Sequence, residues 1–254
     1  MLAVHMFPCL SDNYGYLLHD PDSGLTAAID TPDAAAIAAE LRGQGWRLTH
    51  ILNTHHHPDH AGGNLQLKEL TGCQIIGPAA DAQRIPGIDR GVGDGDAIEF
   101  GGYRIEVFET PGHTSGHIVY LLREERIAFV GDTLFSLGCG RLFEGTPEQM
   151  WHSMQKILSW PGDTRLYCAH EYTLANGRFA RTLEPNNTAL ARRLAEVEEL
   201  RAAAQPSVPS TLDMEKRTNP FLRPDSAELQ RAVGLTNAPI VEVFARTRAL
   251  KDAF

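Results

Sequence analysis

Between Asn53 and Gly63 the chain reads Asn-Thr-His-His-His-Pro-Asp-His-Ala-Gly-Gly, directly after the apolar pair Ile51-Leu52. Four histidines and one aspartate fall within His55–His60, in the pattern H-x-H-x-D-H. Imidazole nitrogen and carboxylate oxygen are donors for zinc and similar first-row metals. A lone histidine is ordinarily a packed core residue, but packing gives no reason to crowd four imidazoles together. The stretch is therefore either a solvated polar loop or a metal-holding one. Its position after an apolar strand and before a helix, where α/β folds place their sites, favours metal.

Further polar, glycine-flanked segments also follow apolar runs. Thr110-Pro111-Gly112-His113-Thr114-Ser115-Gly116-His117 comes after Val107-Phe108, Gly131-Asp132-Thr133 after Val130, and Ala169-His170-Glu171-Tyr172 after Leu166-Tyr167-Cys168. Each is a weak signal alone, since Gly-Asp is usually a turn and Pro-Gly-His a loop. Together with the first cluster they place candidate ligands at several strand ends, where loops from one sheet edge converge.

The length of 254 residues suits one large domain, or one with a small companion. A hydrophobic fraction of 43% and a charged fraction of 22% are ordinary for a globular chain. The net charge of -9 argues against a general nucleic-acid binder, which needs a broad basic face. Cys9, Cys73, Cys139 and Cys168 form no C-x-x-C pair and read as reduced thiols of a cytoplasmic protein. The first residues show no signal peptide, and no run is long enough to cross a bilayer, so no membrane partner is expected.

The local pattern predicts strands at Tyr14–Leu18 and Leu25–Ile29 around a turn at Pro21–Gly24. A helix follows, capped by Thr31 with Pro32 at its first position and stopped by Gly43. Leu48–Asn53 is the strand that delivers the histidine loop, Asn64–Leu70 a helix and Gln74–Ile76 a strand. Residues 78–95 read as loop. Strands are expected at Ala97–Phe100, Tyr103–Phe108, Ile118–Leu122, Ile127–Val130 and Arg165–Cys168. Thr146-Pro147 starts a helix with Met150, Trp151, Met154, Ile157 and Leu158 on one face. Beyond about residue 173 no strand is expected, and helices are predicted at Asn187–Ala204, Asp225–Val233 and Ile240–Ala249.

On these motifs the chain resembles the metallo-β-lactamase superfamily: H-x-H-x-D-H, then a Gly-His, a Gly-Asp and a late His. The closer resemblance is to glyoxalase II, the hydroxyacylglutathione hydrolases. It is carried by Asp12-Asn13-Tyr14, Thr54-His55-His56-His57 through Gly63-Asn64, Cys139-Gly140-Arg141, Glu144-Gly145-Thr146, Ala169-His170-Glu171-Tyr172 and the closing Arg248-x-x-Lys251-Asp252-x-Phe254. The resemblance implies an α/β fold, a four-layer αββα sandwich, over residues 1–173. A small helical substrate-binding domain over 174–254 would follow.

Carried over by position, His55, His57 and His113 would hold one divalent metal, and Asp59, His60 and His170 a second, with Asp132 bridging. Zinc is the expected occupant, though iron and manganese suit the same donors. The activity implied is hydrolysis of S-(2-hydroxyacyl)glutathione, with S-D-lactoylglutathione the foremost substrate. Attack would come from a hydroxide bridging the metals, with Asp59 and Asp132 at the catalytic centre. Arg141, Phe143, Tyr172, Arg248 and Lys251 would meet glutathione. For Arg248 and Lys251 an ordinary solvated terminus is the competing reading. Phe143 stands where many members carry Tyr, and Arg141 where some carry Lys, which keeps the charge but alters the hydrogen-bond geometry. A glutathione persulfide dioxygenase using a single iron shares much of this pattern and is the alternative function. A monomer is expected.

Of the remaining conspicuous residues, His56 is expected to face away from the metals. Asp30 is expected to brace the histidine loop through hydrogen bonds.

Overall fold

The strand that carries the histidine loop is only three residues long, and it lies in the middle of a six-stranded sheet. A computed structural model describes residues 1–254, which form two compact units. The first comprises Met1–Glu109 with Ser115–Gly131, and the second Thr110–Thr114 with Asp132–Phe254.

In the first unit β1 (Ala3–Cys9), β2 (Asn13–Asp20) and β3 (Leu25–Ile29) run antiparallel. β4 (His50–Leu52), β5 (Gln74–Pro78) and β6 (Arg90–Val92) then extend the sheet in parallel. Parallel neighbours need crossovers. For the first two pairs these are helix α1 (Ala34–Gln44) and the pair α2 (Pro58–Ala61) and α3 (Asn64–Thr71). Successive strand residues point to opposite faces. Leu17, Ala28, Ile51 and Ile75 accordingly pack with Ile37, Leu41 and Leu67 of the helices in one buried cluster. The opposite face meets the antiparallel strands β7 (Ala97–Phe100), β8 (Tyr103–Glu109), β9 (Ile118–Leu122) and β10 (Ile127–Gly131). Tyr16 rests edge-on against Phe129, and His50 against Phe100.

The second unit opens with a small hairpin, β11 (Leu134–Phe135) and β12 (Gly138–Cys139). Helix α4 (Pro147–Leu158) follows, with Thr146 and Gln149 forming a reciprocal capping box. Its buried face is Met150, Ser153, Met154 and Ile157, whereas Trp151 and Leu158 are only half-buried. Strand β13 (Arg165–Cys168) precedes helices α5 (Thr173–Leu183) and α6 (Thr188–Ala202). Strand β14 (Ser210–Thr211) and helices α7 (Leu212–Thr218), α8 (Ala227–Ala232) and α9 (Ile240–Asp252) complete the chain. No helix is long and apolar enough to cross a membrane.

The fold departs from the sequence expectations at several places. The cap of α1 is Asp33, whose carboxylate accepts from Ala35 N and Ala36 N. The Thr31 hydroxyl is instead committed to Asn64 Oδ1 at 2.7 Å. The left-handed residue ending α1 is Gly45, not Gly43. The stretch 78–95 contains β6, whose single buried residue, Val92, gave too little alternation to be read. Beyond residue 173 there is one short strand, β14, paired with Arg165-Leu166. There are also two unforeseen helices, α7 and α5, and the Gly177 of α5 lies where a Cβ would press on Leu194 and Leu137.

Candidate metal centre and candidate substrate contacts

The end of β4 is held from several sides before the first histidine is reached. Asn53 N donates to Ile76 O, and Tyr120 Oη donates to Asn53 O at 2.7 Å. The Asn53 side chain donates to His60 O and accepts from Asn64 Nδ2, both at 2.8 Å. Asp30 stands at the end of β3 with a φ of 58°, a left-handed conformation that Asp tolerates better than most residues. Its Oδ1 accepts from Thr54 N and its Oδ2 from Thr54 Oγ1, both at 2.7 Å. The same Oδ2 lies 2.8 Å from His60 Nδ1. A carboxylate in this role only accepts, so the proton is on Nδ1 and the lone pair of His60 is on Nε2. Asp30 thus braces the histidine loop, as expected.

Within the first unit the donor atoms crowd closely. His55 Nε2 is 3.0 Å from His57 Nδ1, and His60 Nε2 is 3.6 Å from Asp59 Oδ2. Asn13 Nδ2 donates to Asp59 Oδ2 at 3.1 Å. His55 and His60 are fully buried, while His57 and Asp59 are half-buried. His56 does turn away: its Nδ1 lies 3.0 Å from buried Asp81, which also receives Arg84. His117 stacks on His55 with ring centres 4.8 Å apart.

The second unit carries the other predicted donors. His113 Nδ1 donates to the Arg141 carbonyl at 2.9 Å, which leaves its lone pair on Nε2. Asp132 Oδ2 is 3.4 Å from His113 Nε2 and 3.4 Å from His170 Nε2, so one carboxylate oxygen lies between two imidazoles. All three side chains are buried. Gly140 passes so close to the Asp132 carbonyl that any Cβ there would collide with it. His170 stacks on Tyr172, ring centres 4.7 Å apart, and meets the edge of Phe135. The next residue, Glu171, accepts from Ser207 N at 2.8 Å and Ser207 Oγ at 2.6 Å, which anchors the strand end.

The residues carried over for glutathione also lie in the second unit. Arg141 and Phe143 are exposed, and the Phe143 ring meets His113 edge-on at 5.2 Å. Lys251 is half-buried, its Nζ lying over Phe179 and Phe254. Burial first, and then the nearby Arg248 and Arg141 charges, hold its pKa below the ordinary lysine value. Arg248 is unlike the others: it is 5% exposed. Its Nη1 donates to Cys139 O at 2.7 Å, and its Nη2 pairs with Asp252 at 3.0 Å. A solvated terminus does not describe it. None of the four cysteines forms a disulfide, and all are buried. Burial pushes the Cys139 thiol up to about 11, and Cys9 and Cys168 to about 12.

Several of these supporting contacts have no motif. Asp81 lies in the 78–95 stretch read as loop, and the acceptor for His113 is a backbone carbonyl, which leaves no residue-type signal. Asn13 and Glu171 belong to quoted motifs, but neither motif assigns them a hydrogen bond.

The metallo-β-lactamase superfamily profile matches residues 22–170, and the profile of the hydroxyacylglutathione hydrolase C-terminus matches 171–254. The hydroxyacylglutathione hydrolase of Maricaulis maris is 54% identical over 253 residues, covering 100% of this chain and 99% of that protein. The hydroxyacylglutathione hydrolase of Methylococcus capsulatus is 52% identical over 254 residues, with 100% and 99% covered. The crystal structure of ETHE1 from Myxococcus xanthus superposes with a TM-score of 0.67 at 25% identity, covering 100% of this chain and 99% of that one. The mixed sheets followed by a helical C-terminal region are the metallo-β-lactamase fold with its appended domain. Matched from residue 22 to 254 by the two profiles, and over its whole length by relatives at more than half identity, the chain belongs to the hydroxyacylglutathione hydrolase family of that superfamily.

Proposed function

We propose that the chain hydrolyses S-D-lactoylglutathione to D-lactate and glutathione, using two divalent cations, zinc in the first instance. His55, His57 and His113 hold one cation, Asp59, His60 and His170 the other, and Asp132 bridges them. As a family member the chain is a thioester hydrolase acting on hydroxyacylglutathione. The named acyl group, the metal and its ligands are our reading.

The observation that supports it most is Asp132 Oδ2 at 3.4 Å from Nε2 of both His113 and His170. His60 and His113 each have Nδ1 committed to an acceptor, so each keeps a basic Nε2. That donor set fits divalent cations bound by imidazole and carboxylate. When bound, such a pair lowers the pKa of water and polarises a carbonyl oxygen.

The protein's own residues do the rest. Asp30 and the Arg141 carbonyl fix two imidazole tautomers. Arg141, Lys251 and Arg248 offer positive charge to the two carboxylates of glutathione, and Tyr172 and Phe143 are the remaining contacts in this reading. A thiolate leaving group needs little acid assistance, because thiol pKa values are about 8.5. Residues 1–173 form the catalytic part in this reading, and 174–254 supply substrate contacts. The protein acts in the cytoplasm, which its four unbridged, buried cysteines support, and it acts as a monomer.

The deciding experiment combines elemental analysis with turnover of S-D-lactoylglutathione and of glutathione persulfide with oxygen. Two metals per chain and chelator-sensitive thioester hydrolysis are expected. One iron per chain with oxygen consumption would establish the dioxygenase instead.

A further inference from the structure

The hairpin β11–β12 turns through Ser136-Leu137, a two-residue loop with neither Asn-Gly nor a leading Gly. Such loops favour residues that accept positive φ. Leu137 nonetheless has a φ of 59° and is fully buried. A bulky residue held in the left-handed region persists only where its surroundings impose it.

The surroundings here are three side chains from the helical region. Glu215 is fully buried, and its carboxylate has four donors. Oε1 accepts from Ser136 Oγ at 3.1 Å and Ser210 Oγ at 2.6 Å. Oε2 accepts from Leu137 N at 2.8 Å and Asn219 Nδ2 at 3.0 Å. Asn219 Nδ2 also lies 3.1 Å from Phe135 O and 3.0 Å from Gly138 O. Asn176 Nδ2 donates to Ser136 O at 3.1 Å. No cation faces Glu215. Burial pushes its pKa up, and its hydrogen bonds partly offset that rise. Burying a carboxylate is costly, so its presence demands a reason beyond packing.

What the clamped hairpin delivers supplies the reason. The chain enters it from Asp132. It leaves through Cys139, whose carbonyl receives Arg248 Nη1 at 2.7 Å. Two residues on, the Arg141 carbonyl receives His113 Nδ1 at 2.9 Å, and Phe143 N returns to His113 O at 3.2 Å. One short hairpin therefore ties together a proposed bridging ligand, a proposed metal-binding imidazole and the arginine proposed to meet glutathione.

We propose that Glu215 is a positioning residue: by imposing the Leu137 turn it sets the carbonyls of Cys139 and Arg141, and so keeps Arg248 and His113 in register for the same substrate. This rests on the ligand and glutathione assignments proposed above. It adds that substrate recognition and imidazole orientation share one backbone support.

The test is Glu215→Gln, which keeps the shape but swaps one acceptor oxygen for a donor facing donors. Circular dichroism is used to confirm folding at the assay temperature. Two readouts are taken: kcat and KM for S-D-lactoylglutathione in the metal-loaded enzyme, and glutathione affinity of the metal-free protein by calorimetry. The expected result is a lower kcat, a higher KM and at least tenfold weaker glutathione binding. Should Glu215→Gln not fold, Asn176→Ala, which releases only the Ser136 carbonyl, is expected to move the same readouts in the same direction by a smaller factor. A folded variant with a lowered melting temperature but unchanged kcat, KM and glutathione affinity would reduce Glu215 to a brace and overturn the proposal. An unsubstituted protein that neither binds glutathione nor turns over its thioester would instead overturn the underlying functional reading.

Discussion

His60 and Asp30 share a buried hydrogen bond, Nδ1 to Oδ2 at 2.8 Å, and the same Asp30 oxygen accepts from Thr54 Oγ1. One carboxylate thereby sets both the tautomer of an imidazole and the path of the loop carrying it. Asp30→Asn would set an amide N–H against the ring N–H. Metal affinity is expected to fall about 10- to 100-fold, the usual cost of losing such an outer partner. Competition with a chromogenic chelator measures it, and unchanged affinity would leave Asp30 with a loop-bracing role only.

Asp132→Ala removes the oxygen lying between His113 and His170. Thioester turnover should fall to background and metal content should drop, read by elemental analysis. Near-normal occupancy in the inactive variant would refute the bridging role.

Lys251 and Arg248 should separate by what each loses. Lys251→Ala removes a half-buried ammonium. KM for a glutathione thioester should rise about tenfold, in line with the ~1.5–3 kcal/mol of a charged hydrogen bond, with little change in melting temperature. KM for a small neutral thioester should stay put. Arg248→Ala also strands the buried Cys139 carbonyl, so KM should rise and the melting temperature fall together. Equal KM effects on both substrates would mean that these residues do not read glutathione.

The lowered pKa of Lys251 gives a pH signature. A lysine binds carboxylate only while protonated, and burial together with Arg248 and Arg141 makes it lose its proton earlier than an ordinary lysine. Its attraction for glutathione is complete below that lowered pKa and lost as pH rises through it. KM should climb on the alkaline side at a pH below the usual lysine range, and Lys251→Arg should flatten the climb. A pH-independent KM in the unsubstituted enzyme would exclude Lys251 from recognition.

Gly140→Ala should damage both stability and metal binding, because its methyl group would collide with the Asp132 backbone carbonyl. A core-type loss of about 2 kcal/mol or more is expected from overpacking at a rigid site. Differential scanning calorimetry with metal titration reads both, and a variant that melts normally and loads fully would show that the loop yields.

The sequence made some of this legible and hid the rest for physical reasons. Strands such as Ile118–Leu122 could be read because buried residues run through them without interruption. The histidine cluster stood out because no packing argument explains it. Thr31 reads as a cap in the local pattern, which cannot show that its hydroxyl is spent on Asn64, 33 residues away. Strand β14 stayed hidden because two residues carry no periodicity, and its pairing with Arg165-Leu166 is set by distant chain. The same limit hid the Arg141 carbonyl behind His113 and the Glu215 clamp on Leu137. Backbone acceptors and buried carboxylates with remote partners leave no spacing to recognise.

The burial of all four cysteines bears on the chemistry of the product. Hydrolysis of a glutathione thioester releases a free thiol beside the protein that made it. Thiol–disulfide exchange needs an accessible thiolate. With Cys139 pushed up to about 11, Cys9 and Cys168 to about 12, and Cys73 raised as well, this chain offers almost none. Its own sulfur is kept from forming mixed disulfides with the glutathione it liberates, so oxidative swings in the surrounding glutathione pool should leave the enzyme untouched.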